Sequence, residues 1–456
     1  MAWGQPRLLL VRPDHLGDLI LWLPAVKALR EALPDARLTA LVGPWAEPVL
    51  GLVPWVDEVV TFELPYFARR PKTDPTEPYR ILLGLARQLR GRKFDAALNF
   101  RPDFWWGGLL AAVAGIPERV GFNIRRVTPF LTRAIPFNPD EHQVVANLRL
   151  VDEGLGLSLR RPFRPDLYPL VWPVNPAAVA AAEGWVGQNA PGRPRVALVV
   201  EAGAPVKAWR REAWVDLGRV LRQEFGATLI VPAGPGRAKA VGPLAAELGV
   251  RPAVLPVGVL AEVFRRCDLV VGLDSGPLHL AVAVGARTVG LFGPVSPTRF
   301  GPWGPPDRHR LVMTDYPCAP CNRLDYRPEE LPLPAAPAPR PGSRGSAGVL
   351  YDLGDDFLGT SSGEAPAESQ ATAASRPADH RGLCGCGPTA PSHRPTRVPP
   401  PDPCHPPGPP GGPYALGAGH SGGSPALAPR RTDSPGPPLY GAPFGSFPRG
   451  GPGHHL

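Results

Sequence analysis

The sequence predicts an α/β chain of two doubly wound parallel sheets facing a cleft, followed by a tail of a different kind. Three observations carry this. Short apolar runs alternate with helically spaced apolar residues from residue 7 to about residue 320. The alternation starts afresh at residue 195, after a stretch with two prolines and no helical signal. From Arg327 onward about two residues in five are Pro or Gly, and Lys and Ile are absent.

The elements follow in order. Residues 7–11 form a short buried strand, and Arg12-Pro13-Asp14-His15-Leu16-Gly17-Asp18 is a polar loop. Leu19, Leu23, Val26, Leu29 and Leu33 then fall at helical spacing, with Pro24 kinking or restarting that helix. Strands are expected at 37–42, 58–62, 94–100 and 119–122, and helices at 81–90, 105–114 and 142–155. Alternation of this kind places helices on both faces of a parallel sheet. Residues 168–176 read as an interdomain linker, so the domains are expected at 1–167 and 177–326. The second begins with a helix at 177–186. Strands follow at 195–200, 227–231, 269–273 and 288–292, with helices at 212–225, 241–248, 260–267 and 278–284. In such sheets ligands bind beyond the strand C-termini.

One such end is Val271-Gly272-Leu273-Asp274-Ser275-Gly276-Pro277-Leu278-His279. A buried strand runs directly into a helix N-terminus, with Asp274 and Ser275 as good N-caps and Pro277 suited to the first turn. Helix N-termini of this kind hold anions. The net charge of +9 belongs to the body, because the Arg of the tail balance its Asp and Glu. A basic body fits an anionic partner such as a nucleotide, a phosphorylated glycan or a membrane surface. The six Cys do not form the framework of a secreted disulfide scaffold, and the apolar N-terminus is broken by Arg12, Asp14 and Asp18. Cytoplasmic residence is the expectation.

Arg12-x-Asp14-x-Leu16-Gly17-Asp18 together with Asp274-Ser275-Gly276-Pro277-x-His279 resembles the ADP-heptose:lipopolysaccharide heptosyltransferases of glycosyltransferase family 9. The second motif continues through Gly290-Leu291-Phe292-Gly293-Pro294 to Arg299-Phe300-Gly301-Pro302, and the likeness covers roughly residues 7–326. The resemblance implies two Rossmann-like domains of the GT-B type, with an acceptor site mainly in the first and a nucleotide-sugar site mainly in the second. It implies an inverting, metal-independent transfer of a heptose or similar sugar from an ADP-heptose-like donor, with no cofactor and no nucleic acid. The acceptor would be an anionic glycan or glycolipid of the cell envelope, met at the cytoplasmic face of the inner membrane.

Carried over residue by residue, Asp18 becomes the catalytic base, with Asp14 its near competitor. An acid in a first helical turn also stabilises a helix dipole without doing chemistry. Lys207, ahead of Trp209, would bind donor phosphate, and a point charge suits a pyrophosphate leaving group. Asp274, Ser275, Gly276 and His279 would hold the donor. The plainer alternative makes Asp274 and Ser275 mere caps and His279 a satisfied buried imidazole. Arg69, Arg70 and Lys72, with Asp14, are candidates for the acceptor, against the plainer reading of solvated loop charges. The loop Glu201-Ala202-Gly203-Ala204-Pro205 departs from the family's His/Gly/Ser-rich form and lacks hydroxyls for phosphate. Gly234-Pro235-Gly236 stands where relatives often carry a Glu for the donor ribose, with Gly236 or Arg237 in its place.

The single pair Cys318-x-x-Cys321 is not a zinc signature on its own, and no metal site is expected. Residues 327–456 are expected to be a disordered low-complexity extension or an out-of-frame reading of a GC-rich gene. The abrupt change inside a family domain favours the second. The altered loop and the tail together motivate a competing reading, a truncated or degenerate relative that binds a nucleotide sugar without turnover. A nicotinamide-dependent dehydrogenase is disfavoured because Pro13-Asp14-His15-Leu16-Gly17, not a Gly-x-Gly-x-x-Gly turn, follows the first strand.

Overall fold

The computed structural model describes residues 4–65, 67, 74–314 and 318–324. All of these belong to one compact unit. The candidate acceptor residues Arg69, Arg70 and Lys72 and the whole of 327–456 also lie outside the described residues.

The first sheet is built from β1 (Arg7–Arg12), β2 (Arg37–Val42), β3 (Glu58–Thr61), β4 (Ala96–Asn99), β5 (Glu118–Phe122) and β6 (Arg133–Ile135). Its order is β3-β2-β1-β4-β5-β6, and every neighbouring pair is parallel. The second sheet repeats the plan with β7 (Arg195–Val199), β8 (Thr228–Pro232), β9 (Pro252–Ala253), β10 (Leu269–Leu273), β11 (Thr288–Phe292) and β12 (His309–Met313). Its order is β12-β11-β10-β7-β8-β9, again all parallel. Counted within its own domain, each sheet therefore runs 3-2-1-4-5-6. The chain reverses direction across the sheet between β1 and β4, and between β7 and β10. Those two gaps are the places where loops diverge and a ligand can enter.

The helices are α1 (Leu16–Ala32), α2 (Glu47–Leu50), α3 (Glu77–Arg90), α4 (Trp105–Val113), α5 (Gln143–Leu155), α6 (Pro176–Asn189), α7 (Arg211–Phe225), α8 (Ala238–Glu247), α9 (Val257–Arg265), α10 (Gly276–Ala283) and α11 (Pro297–Phe300). The central strands read as unbroken apolar runs because helices cover both faces. Leu8, Leu9 and Leu10 of β1 and Leu269 and Val270 of β10 are fully buried.

Helix α1 is buried nearly all round from Leu19 to Val26, including Trp22 and Leu23. Each such Leu or Ile contributes about 1.5–3 kcal/mol of burial. That explains why α1 runs unbroken through Pro24, which removes one backbone donor. The helix also starts earlier than its apolar spacing indicates, so Asp18 lies in its first turn rather than in a loop.

Three short strands escape sequence reading. They are the edge strands β6, β9 and β12, the first two only three and two residues long and the last mostly exposed. No helix among the described residues is long and apolar enough to cross a membrane.

Candidate functional site

The first sheet's gap is filled by charge. Arg12, the last residue of β1, is 1% exposed, which is unusual for Arg. Its guanidinium donates to the Phe100 carbonyl at the end of β4 (2.9 Å) and lies 3.4 Å from Asn147 Oδ1 on α5. Its Nε stands 3.0 Å from Asp14 Oδ2, and its Nη2 stands 3.5 Å from Asp18 Oδ1. Arg101, just past β4, donates to Asp14 Oδ1 (2.6 Å) and to Asp103 Oδ1 (2.5 Å). Trp45 Nε1 donates to the Asp14 carbonyl (2.8 Å). Asp14, 2% exposed, is thus clamped between two guanidinium groups.

Asp18 is different. It keeps a third of its side-chain surface and only one long contact to Arg12. Surrounding protein and the neighbouring Asp14 carboxylate raise its pKa, against the opposing charges of Arg12, Arg101 and Lys207. Burial also pushes Asp14 upward, but Arg12 and Arg101 outweigh it and hold that carboxyl below the ordinary aspartate value. Two carboxylates whose proton affinities are driven apart in one cleft are the usual sign of divided roles. The surroundings thus lower the proton affinity of Asp14 and raise that of Asp18.

The second gap is built the same way. The loop after β7 ends in a single 3₁₀ turn, Pro205–Lys207, which carries Lys207 across to β10. Lys207 Nζ donates to Asp274 Oδ2 at 2.6 Å. His279 Nε2, one turn into α10, stands 3.6 Å from Asp274 Oδ1. Burial favours protonated Asp274, but the His279 contact and the Lys207 charge reverse this and lower its pKa.

Ser275 occupies the N-cap of α10 but makes no side-chain cap bond. Its Oγ and His279 Nδ1 are buried without a protein partner. Unpartnered buried polar atoms at a helix N-terminus need explaining, and a bound anionic ligand would supply the partner. Neither Ser275 nor His279 is therefore the satisfied cap or core residue of the plainer reading.

The two half-sites meet through glycine. A Cβ on Gly17 would stand 3.1 Å from His279 Cδ2 and 3.4 Å from Gly276 Cα, and one on Gly276 would stand 2.8 Å from Leu16 Cβ. The N-termini of α1 and α10 approach this closely only because neither residue has a side chain. Gly276→Ala should force them apart, destabilising the protein by about 1–3 kcal/mol. A denaturant midpoint unchanged from the parent protein would contradict that packing.

Sequence reasoning placed Asp14, Asp18, Lys207, Asp274, Ser275, Gly276 and His279, and the structure brings all seven to the facing ends of the two sheets. It missed Arg12 as a clamp, and Arg101 and Asn147 altogether. The available signal was topological. A 3-2-1-4 strand order sets the end of β4, with Arg101, directly beside the end of β1. Arg125 and Arg126 are exposed in the loop after β5. Cys318 and Cys321 are half-buried, and among the described residues no three His, Cys, Asp or Glu side chains gather to hold a metal. The Cys267 thiol is pushed up to about 12, chiefly by burial, and is not a nucleophile.

The family model for glycosyltransferase family 9 (heptosyltransferase) matches residues 82–330. Lipopolysaccharide heptosyltransferase 1 of Pseudomonas aeruginosa is 26% identical over 340 residues, which is 71% of this chain and 89% of that protein. Lipopolysaccharide heptosyltransferase 2 of Escherichia coli is 23% identical, over 68% of this chain and 89% of that protein. Among solved structures, a family 9 glycosyltransferase from Veillonella parvula superposes with a TM-score of 0.57 at 22% identity, covering 69% of this chain and 87% of its own. The E. coli heptosyltransferase WaaC with ADP superposes with a TM-score of 0.54 at 18% identity, covering 77% and 99%.

Proposed function

The chain belongs to glycosyltransferase family 9, and we propose that it is an inverting, metal-independent transferase that moves a heptose from ADP-heptose to a lipopolysaccharide-core acceptor. One observation supports this reading above the others. Asp18, with its raised proton affinity, shares a cleft with the Lys207–Asp274–His279 group, closely enough for the Lys207 charge to act on it.

In this reading the donor diphosphate sits against Lys207 and the backbone N–H groups at the start of α10, with Ser275 Oγ and His279 Nδ1 completing its contacts. Asp274 takes donor hydroxyls while holding Lys207 in place. The acceptor hydroxyl enters from the α1 side. Asp18 takes its proton as the oxygen attacks the anomeric carbon from the face opposite the diphosphate. The bond from the anomeric carbon to the diphosphate oxygen breaks with its electron pair leaving on the diphosphate, whose growing charge Lys207 and the α10 N-terminus stabilise. The configuration at that carbon inverts, and the proton passes later from Asp18 to water. A fixed cation in the protein performs the task for which other transferases use a divalent metal.

The test is transfer from ADP-heptose to a truncated lipopolysaccharide lacking core heptose, with excess EDTA, read by mass spectrometry. A product one heptose heavier, formed at the same rate with and without EDTA, is expected. A rate abolished by EDTA and restored by magnesium would refute metal independence. No product from any nucleoside-diphosphate heptose would refute the donor assignment.

A further inference from the structure

The end of β8 is where a nucleotide fold of this strand order ordinarily places an acidic side chain for the ribose. Here Pro232-Ala233-Gly234-Pro235-Gly236-Arg237 offers none. The carboxylate at that place arrives from the neighbouring strand. Glu201, two residues past β7, accepts from Arg237 Nε (2.7 Å) through Oε1 and from the Gly234 N–H (3.3 Å) through Oε2. Gly236 adopts φ +73°, a left-handed turn open to glycine, and the chain turns there to bring Arg237 back over Glu201.

We propose that Glu201 is the ribose-binding carboxylate of this protein, with Arg237 and the Gly234 N–H as the groups that position it. This rests on the donor reading above. The order β10-β7-β8 sets the geometry. Lys207–Asp274 bridges β7 to β10, and Glu201–Arg237 bridges β7 to β8. A diphosphate held at the first bridge extends its nucleoside one strand spacing along the sheet edge, about 5 Å, onto the second. Each Glu201 oxygen uses one acceptor site and keeps another, which suits the two hydroxyls of a ribose. Glu201 also keeps about a quarter of its side-chain surface, so a ligand can reach it.

The experiment is calorimetric titration of the full chain with ADP, 2′-deoxy-ADP and 3′-deoxy-ADP. In the parent protein at least one deoxy analogue should bind about tenfold more weakly than ADP, the worth of a hydrogen bond to a charged group. In Glu201→Ala that penalty should vanish, with ADP weakened to the level of its analogue. Glu201→Gln keeps an acceptor for the Gly234 N–H and should melt like the parent while losing most of the penalty. Lys207→Ala should weaken all three ligands by the same factor and leave the penalty intact. An equal penalty in the parent and in both Glu201 variants, or no penalty in the parent, would overturn the assignment while leaving the donor reading standing. Failure of the parent to bind ADP at all would overturn the donor reading and this assignment with it.

Discussion

Asp18→Asn should lose transfer by about 10²- to 10⁴-fold, the usual worth of a positioned general base. The same variant should be no less stable than the parent at neutral pH. The sign follows from the raised pKa of Asp18, whose first cause is burial and whose second is the Asp14 carboxylate. A group raised in the folded state contributes stability that is fully present below its unfolded pKa and is lost as pH rises through the folded value. Once ionised, Asp18 is therefore held at a cost, and Asn removes the charge while keeping the shape. Loss of activity with an unchanged or higher melting temperature separates a catalytic role from a helix-dipole role. A first-turn acid acting only on the dipole would give the opposite pattern, a small loss of stability and full activity.

Lys207→Ala should show the reverse profile, a large loss of stability together with loss of donor affinity. Lys207 and Asp274 are 16% and 7% exposed and 2.6 Å apart. Removing one member of a buried pair leaves the other uncompensated, at a cost of about 3 kcal/mol. The pH dependence should change with it. In the parent, Asp274 has a lowered pKa, so its contribution is present above the ordinary aspartate range and is lost as pH falls through the depressed value. Without Lys207 that depression weakens, and only the His279 contact still opposes burial. The deficit of the variant should then be greatest at neutral pH and shrink as the pH falls and Asp274 protonates. Urea midpoints at neutral and mildly acidic pH check this. A deficit that grows with acidity would contradict the assignment of Lys207 as the partner of Asp274.

Much of this was legible in the chain. The apolar runs of β1, β2, β7 and β10 are buried on both faces, so their composition alone marks them. The motifs at their C-terminal ends then mark the site, because a parallel sheet delivers those ends to one edge. What could not be read is what depends on pairing across long sequence separations. Arg101 meets Asp14 from 87 residues away. Arg12 passes through the gap to Asn147, 135 residues on. Glu201 replaces an acid expected at the end of the next strand, which is visible only once β7 and β8 lie side by side. The edge strands β6 and β12 bury little and are too short for a period to betray them. The tail offers no period at all, and its residues lie outside those described.

In the proposed mechanism the labour is divided across the cleft, with Asp18 acting on the acceptor hydroxyl and Lys207 holding the donor. The most direct measurement is the single-turnover rate of Asp18→Asn at saturating donor, taken beside its affinity for ADP. ADP affinity equal to that of the parent, with a rate lower by at least about 10²-fold, is the predicted result. A single-turnover rate equal to the parent's at that affinity would contradict it.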